Sequence, residues 1–130
     1  MWFDQRSATS EVVGELKNME TITYQDFEKI DIRAGEILQA EDFPEARKPM
    51  YKLVVDFGPE IGIKKSAGQI TKNYTKEELV GRMIIGVVNF PPKNIEPFVS
   101  EVLILGLIDE ENKVVLLCPT QKVPKGAKMM

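Results

Sequence analysis

The stretch that decides the fold runs from Asp31 to Phe43 and reads DIRAGEILQAEDF. In an extended strand successive side chains point to opposite faces, so Ile32 and Ala34 share one face and Ile37 falls on the other. Gly35 stands where the phase changes. A glycine at such a break marks a bulge or a sharp bend. Strands that bend this way build small barrels, in which one strand serves both halves of the wall.

Working outward, Thr23 to Lys29 has the marks of a short helix, with Thr23 as cap and Asp26 near the positive end. Downstream, EARKP makes a basic turn, and MYKLVVDFG alternates cleanly, with Tyr51, Leu53, Val55 and Phe57 on one face. IGIKKSAGQI is a weaker strand, and TKEELVGR is a helix with a Thr75/Glu78 capping box and Gly81 as its stop. Three further strands follow in MIIGVVNF, SEVLILGLI and KVVLLC, with DEEN as a tight turn between the last two. The end, PTQKVPKGAKMM, reads as irregular and basic.

This order predicts an all-β chain, a closed β-barrel of the OB-fold layout. A short helix precedes the barrel, one helix separates strands three and four, and an extension follows. Residues 1–22 read as an N-terminal tail, of which Met1 to Asn18 is a frayed end or a short accessory helix and Met19 a candidate second start, and residues 23–130 as the domain.

Composition removes several functions. The chain has 130 residues, enough for one domain, with 43% apolar and 28% charged residues and a net charge of −3. Histidine is absent and Cys118 is the single cysteine, which excludes internal disulfides, the usual Cys/His zinc sites and imidazole chemistry. Cys118 lies in VVLLCP and is expected as a buried structural thiol. Asp31, Glu36 and Asp56 are candidate acid/base carboxylates, but their spacing picks out no pair, and there is no glycine-rich phosphate loop. The chain is expected to be no enzyme and to need no cofactor or metal. No apolar run is long enough to span a bilayer, and no basic start leads into an apolar stretch. A cytoplasmic location without membrane insertion is the expectation.

Charge is unevenly placed. From Pro44 to Lys93 nine basic residues stand against five acidic ones, a local +4 that leaves −7 elsewhere. A localised polyanion site and an unevenly charged solvated surface both fit that count.

The connection between strands four and five, VVNFPPKNIEPFVSEVLIL (Val87 to Leu105), holds Pro91, Pro92 and Pro97. Proline fixes φ and cannot donate to a ladder, so these residues are expected to hold a stiff arm away from the sheet. Asn89, Lys93, Asn94 and Ser100 give that arm hydrogen-bonding groups. Phe90 is expected as a core residue at the strand end, with stacking on an unpaired base as the alternative.

DFEKIDIRAGEIL, FPEARKPMYKLVVDFG, IGIKKSAGQIT, VVNFPPKNIEPFVSEVLILG and VPKGAK together resemble the tRNA-binding-domain family, including its export-related chaperones. The resemblance runs from Tyr24 to the C-terminus. It implies an OB-fold that binds tRNA or other structured RNA. For the export chaperones it also implies unfolded or pre-secretory polypeptide and the secretion machinery as partners. Homodimerisation through the terminal extensions is implied as well. Carried over by position, the family's site falls on Lys52, on Lys64, Lys65, Ser66 and Gln69, on Asn89, Pro91, Pro92 and Lys93, and on Ser100 and Glu101. Phe90 lies within it. The arm departs from the family pattern: Asn94 and Glu96-Pro97 replace a second basic residue and a glycine, and Val99 stands where lysine is common. In the RNA reading the lysines meet phosphates and the polar side chains meet sugars or bases. In the polypeptide reading Phe90, Ile95, Phe98 and Met50 line apolar pockets beside the arm.

Overall fold

The computed structural model describes residues 20–130. Residues 1–19, with most of the expected tail and Met19, lie outside the described residues. Helix α1 (Tyr24–Glu28) leads into β1 (Ile32–Asp42), β2 (Tyr51–Asp56), the one-turn helix α2 (Gly58–Ile61) and β3 (Ile63–Gly68). Helix α3 (Lys76–Leu79) and β4 (Met83–Val87) follow, then β5 (Lys93–Ile95), β6 (Phe98–Ser100), β7 (Leu103–Ile104), β8 (Gly106–Ile108) and β9 (Val114–Leu116). An antiparallel sheet in the order β3-β2-β1-β4-β7 forms the wall. Two hairpins, β5–β6 and β8–β9, stand apart from it. Helix α3 carries the expected Thr75/Glu78 capping box, and in α1 the expected Thr23 cap is reciprocated by Asp26.

β1 serves both halves of the wall, as its sequence predicts. Ile32 to Glu36 pair with β4, and Glu36 to Asp42 pair with β2. The bulge lies elsewhere than the phase argument places it: the register slips between Ile37 and Gln39, leaving Leu38 as the extra residue. Gly35 is there for close approach. A Cβ on it would lie 2.8 Å from the Phe57 ring and from Val55. Phe57 is fully buried with Ile37, Leu53, Val55, Ile70, Ile84 and Ile104, and Leu79 of α3 closes one end of this core.

The arm departs from the sequence reading, and the irregular C-terminus has a place that the sequence does not show. The arm makes a ladder of its own, Lys93 opposite Ser100 and Ile95 opposite Phe98. Its prolines lie in the approach and the turn, outside the paired residues. The C-terminal segment, read as irregular, lies along the β1 edge that β2 leaves open. Gly126 N–H donates to Ala34 C=O (2.7 Å), Ala34 N–H to Ala127 C=O (2.9 Å) and Met129 N–H to Ile32 C=O (2.8 Å). Buried Arg33 fastens it further, reaching Gly126 C=O (3.1 Å), Asp31 (2.6 Å) and Glu60 (3.0 Å).

Lys125 bridges Glu36 (3.3 Å) and Asp56 (3.2 Å). The Gly58 N–H first, and the Lys125 ammonium second, hold the Asp56 carboxyl below its ordinary 3.8. A depressed carboxylate adds stability above its unfolded value and loses it as the pH falls through the folded one. Stability at pH 7 is therefore expected to drop on acidification below about pH 4. In Asp56→Asn that part of the drop is missing, so urea unfolding of the two proteins should converge near pH 3. Parallel curves would remove Asp56 from the acid response.

Candidate nucleic-acid interface

The alternation of β2 sends Tyr51, Leu53 and Val55 into the core and Lys52 and Val54 outward. Lys65 lies directly opposite Val54 in the register, and Ala67 opposite Lys52, so both lysines belong to the outer face of the β2–β3 ladder. The Lys52 ammonium lies 5.6 Å from the centroid of the Phe43 ring, and that of Lys65 lies 5.5 Å from the Phe98 ring. The two rings meet edge to face, 5.5 Å apart. Each cation–π contact is worth about 0.5–1 kcal/mol at an exposed site. Two cations thus stand over one aromatic pair.

The platform beneath is a second small cluster. Phe43, Met50 and Ala67 are buried, and Ala46, Ile95 and Phe98 pack against them. Ile95 and Phe98 come from the β5–β6 hairpin, so the arm is pinned to the sheet by its apolar side. Met50 is buried in that packing, and Ile95 and Phe98, placed beside the arm in the polypeptide reading, are half-buried against it. Lys93, two residues before Ile95 and opposite Ser100, belongs to the same side of the hairpin and is half-buried.

Several expected contact residues have other tasks. Ser66 and Ser100 are 0% exposed. The Ser66 hydroxyl donates to Val102 C=O (2.9 Å), and Ser100 Oγ accepts from Ala67 N–H (3.2 Å). They close the barrel between β3 and the segment after β6 and cannot reach a ligand from there. Glu101 works at the same seam. Its N–H donates to Lys65 C=O (2.8 Å), and its carboxylate accepts from Lys65 N–H (2.9 Å). Asn89 spends both ends of its amide on the backbone: Oδ1 accepts from Asp31 N–H (2.9 Å), and Nδ2 donates to Lys29 C=O (2.7 Å). It ties β4 to the entry of β1. Lys64 lies opposite buried Val55, so strand alternation sets it on the other side of β3 from Lys65. Gln69 is half-buried just beyond β3, with its Nε2 enclosed and unpartnered among the described residues.

Phe90 is 39% exposed, not a core residue. Cys118 is exposed as well, where a buried thiol was expected, because it follows β9 and lies outside the paired strand. Of the candidate acid/base carboxylates, Glu36 and Asp56 share Lys125, and Asp31 is committed to Arg33. Phe43 is the participant that sequence reasoning missed. It looks like the last apolar residue of β1, and only the fold brings Lys52 over its ring.

The family described as "Putative tRNA binding domain" matches residues 32–128. The chain belongs to this tRNA-binding-domain family. Among solved structures, the domain is similar to the chaperone CsaA from Bacillus anthracis, with 47% identity and a TM-score of 0.80. It is also similar to the CsaA chaperone protein from Picrophilus torridus, with 54% identity and a TM-score of 0.80. Each likeness covers 85% of this chain and 100% of the other. Methionine–tRNA ligase from Pyrococcus horikoshii is 37% identical over 115 residues, which is 88% of this chain and 15% of the ligase. The chain thus spans a small part of that ligase and the whole of the two CsaA chains. Among the described residues no helix is long and apolar enough to cross a membrane.

Proposed function

We propose that this chain is a non-catalytic, cytoplasmic binding module that holds tRNA or another structured RNA on the outer face of β2 and β3. The observation that carries this is the Lys52/Lys65 pair crowning Phe43 and Phe98. Phosphates are met by these two ammoniums, and the exposed Phe90 ring is the stacking surface for an unpaired base. Lys93 adds a cation at the foot of the arm. Ser66, Ser100 and Asn89 hold the face in shape without touching the ligand. The test is a tRNA titration at two salt concentrations. Affinity that falls steeply with salt supports phosphate contacts, and affinity indifferent to salt rejects them.

A second reading, an extended or unfolded polypeptide as ligand, is favoured by the CsaA relatives that carry the name chaperone. Suppression of client aggregation that persists in the presence of tRNA supports it.

A homodimer accounts for one further feature. Leu107 lies opposite Val115 on one face of the β8–β9 hairpin. Both are exposed, Leu107 at 63%. Leu107→Asp is expected to halve the mass seen in sedimentation equilibrium while leaving the far-UV spectrum unchanged. An unaltered mass would place the dimer contact elsewhere.

A further inference from the structure

β3 is the outermost strand at one end of the five-stranded sheet. In an antiparallel ladder alternate residues turn their N–H and C=O towards the neighbour, and the residues between turn them away. Phe57 N–H donates to Gly62 C=O (3.0 Å), which makes Ile63 one of those turned away from β2. Lys65 and Ala67 follow in the same row, and their N–H groups reach Glu101 and Ser100. The outward row is therefore stopped at Lys65, whose N–H meets the Glu101 carboxylate and whose C=O accepts from Glu101 N–H, and at Ala67 by the Ser100 hydroxyl, while Ile63 stands at its open end. No strand of the described residues lies along it there, and the Ile63 side chain is 59% exposed.

At Lys65 a carboxylate oxygen occupies the place that the carbonyl of an adjacent strand would take. We propose that the β3 edge from Ile63 to Lys65 is a docking site for an extended polypeptide segment, which adds as a strand and displaces the Glu101 carboxylate from the Lys65 N–H. The guest makes two main-chain bonds at Ile63 and one at Lys65. Strand addition takes its affinity from the backbone, so it accepts many sequences. Ile63 and Lys65 share one face of β3, and their side chains favour a guest with an apolar and an acidic residue two positions apart. This deepens the polypeptide reading above and rests on it. The guest meets the RNA face at Lys65 alone.

The probe is a fluorescein-labelled peptide of about ten residues, alternating valine and aspartate on one face. Its binding is followed by anisotropy. Ile63→Pro deletes the outward N–H without removing a bond to β2, and its predecessor Gly62 has ψ −167, compatible with a following proline. The variant should bind the probe about tenfold more weakly, with tRNA titration unchanged. Glu101→Ala removes the competing carboxylate and should bind it about threefold more tightly. A probe N-methylated along one edge tests the wild-type protein directly and should lose binding, which covers a proline variant that folds poorly. If the proline variant and the N-methylated probe both bind normally, the edge site is wrong and the polypeptide reading survives. If the wild type binds tRNA but no probe, both fall.

Discussion

Replacing Lys52 and Lys65 together by alanine is expected to weaken tRNA binding about a hundredfold at roughly 50 mM salt. The slope of log affinity against log salt should fall by roughly 1.5–2, because two phosphate contacts no longer release counterions. The ammoniums stand over Phe43 and Phe98, so each is biased towards the outer face before RNA arrives. The variant should remain folded, since its lost cation–π contacts amount to about 1–2 kcal/mol together. Lys64→Ala is the internal control. Its side of β3 is the one occupied by Val55, and the expected loss is no more than about threefold. Equal losses for Lys64→Ala and Lys65→Ala would mean that strand facing does not define the interface.

Gly126→Val is expected to cost about 2–4 kcal/mol of folding stability, read as a fall in the urea midpoint. Gly126 has φ +89, where a β-branched residue is strained, and a Cβ there would lie 2.6 Å from Phe57 C=O. The crossing is tight from both sides, since a Cβ on Gly58 would lie 2.5 Å from Lys125 C=O. Forcing the segments apart breaks the Gly126 bond to Ala34 and uncovers the Arg33 cluster. An effect under about 1 kcal/mol would show that the C-terminal segment can peel away independently of the barrel.

These two sites differ in how far the sequence alone reveals them. Lys52 announces its outward position, because it sits between Tyr51, Leu53 and Val55 in a strictly alternating strand. The same rule separates Lys64 from Lys65, yet it needs a register, and the register depends on β2, which is distant in the chain. Phe43 gives no signal, since a phenylalanine at a strand end looks the same in a core and beneath a lysine. The crossing of Gly126 with Phe57 joins residues 69 positions apart, and no local pattern encodes it.

The serines make the limit plainest. A hydroxyl beside two lysines looks like a ligand contact, and in Ser66 and Ser100 it is an internal tie instead. Local chemistry, acting through alternation and caps, determined the strands β1 to β4, both capped helices and the barrel class. Those preferences operate within a few residues, which is why they are legible in one dimension. Closure of the barrel decided which polar groups are consumed inside and which lysines share an outer face, because it pairs Ser66 with Val102 and Lys65 with Glu101 across 36 residues of chain. Burial of a side chain follows from what the distant chain lays over it, and that only the tertiary structure supplies.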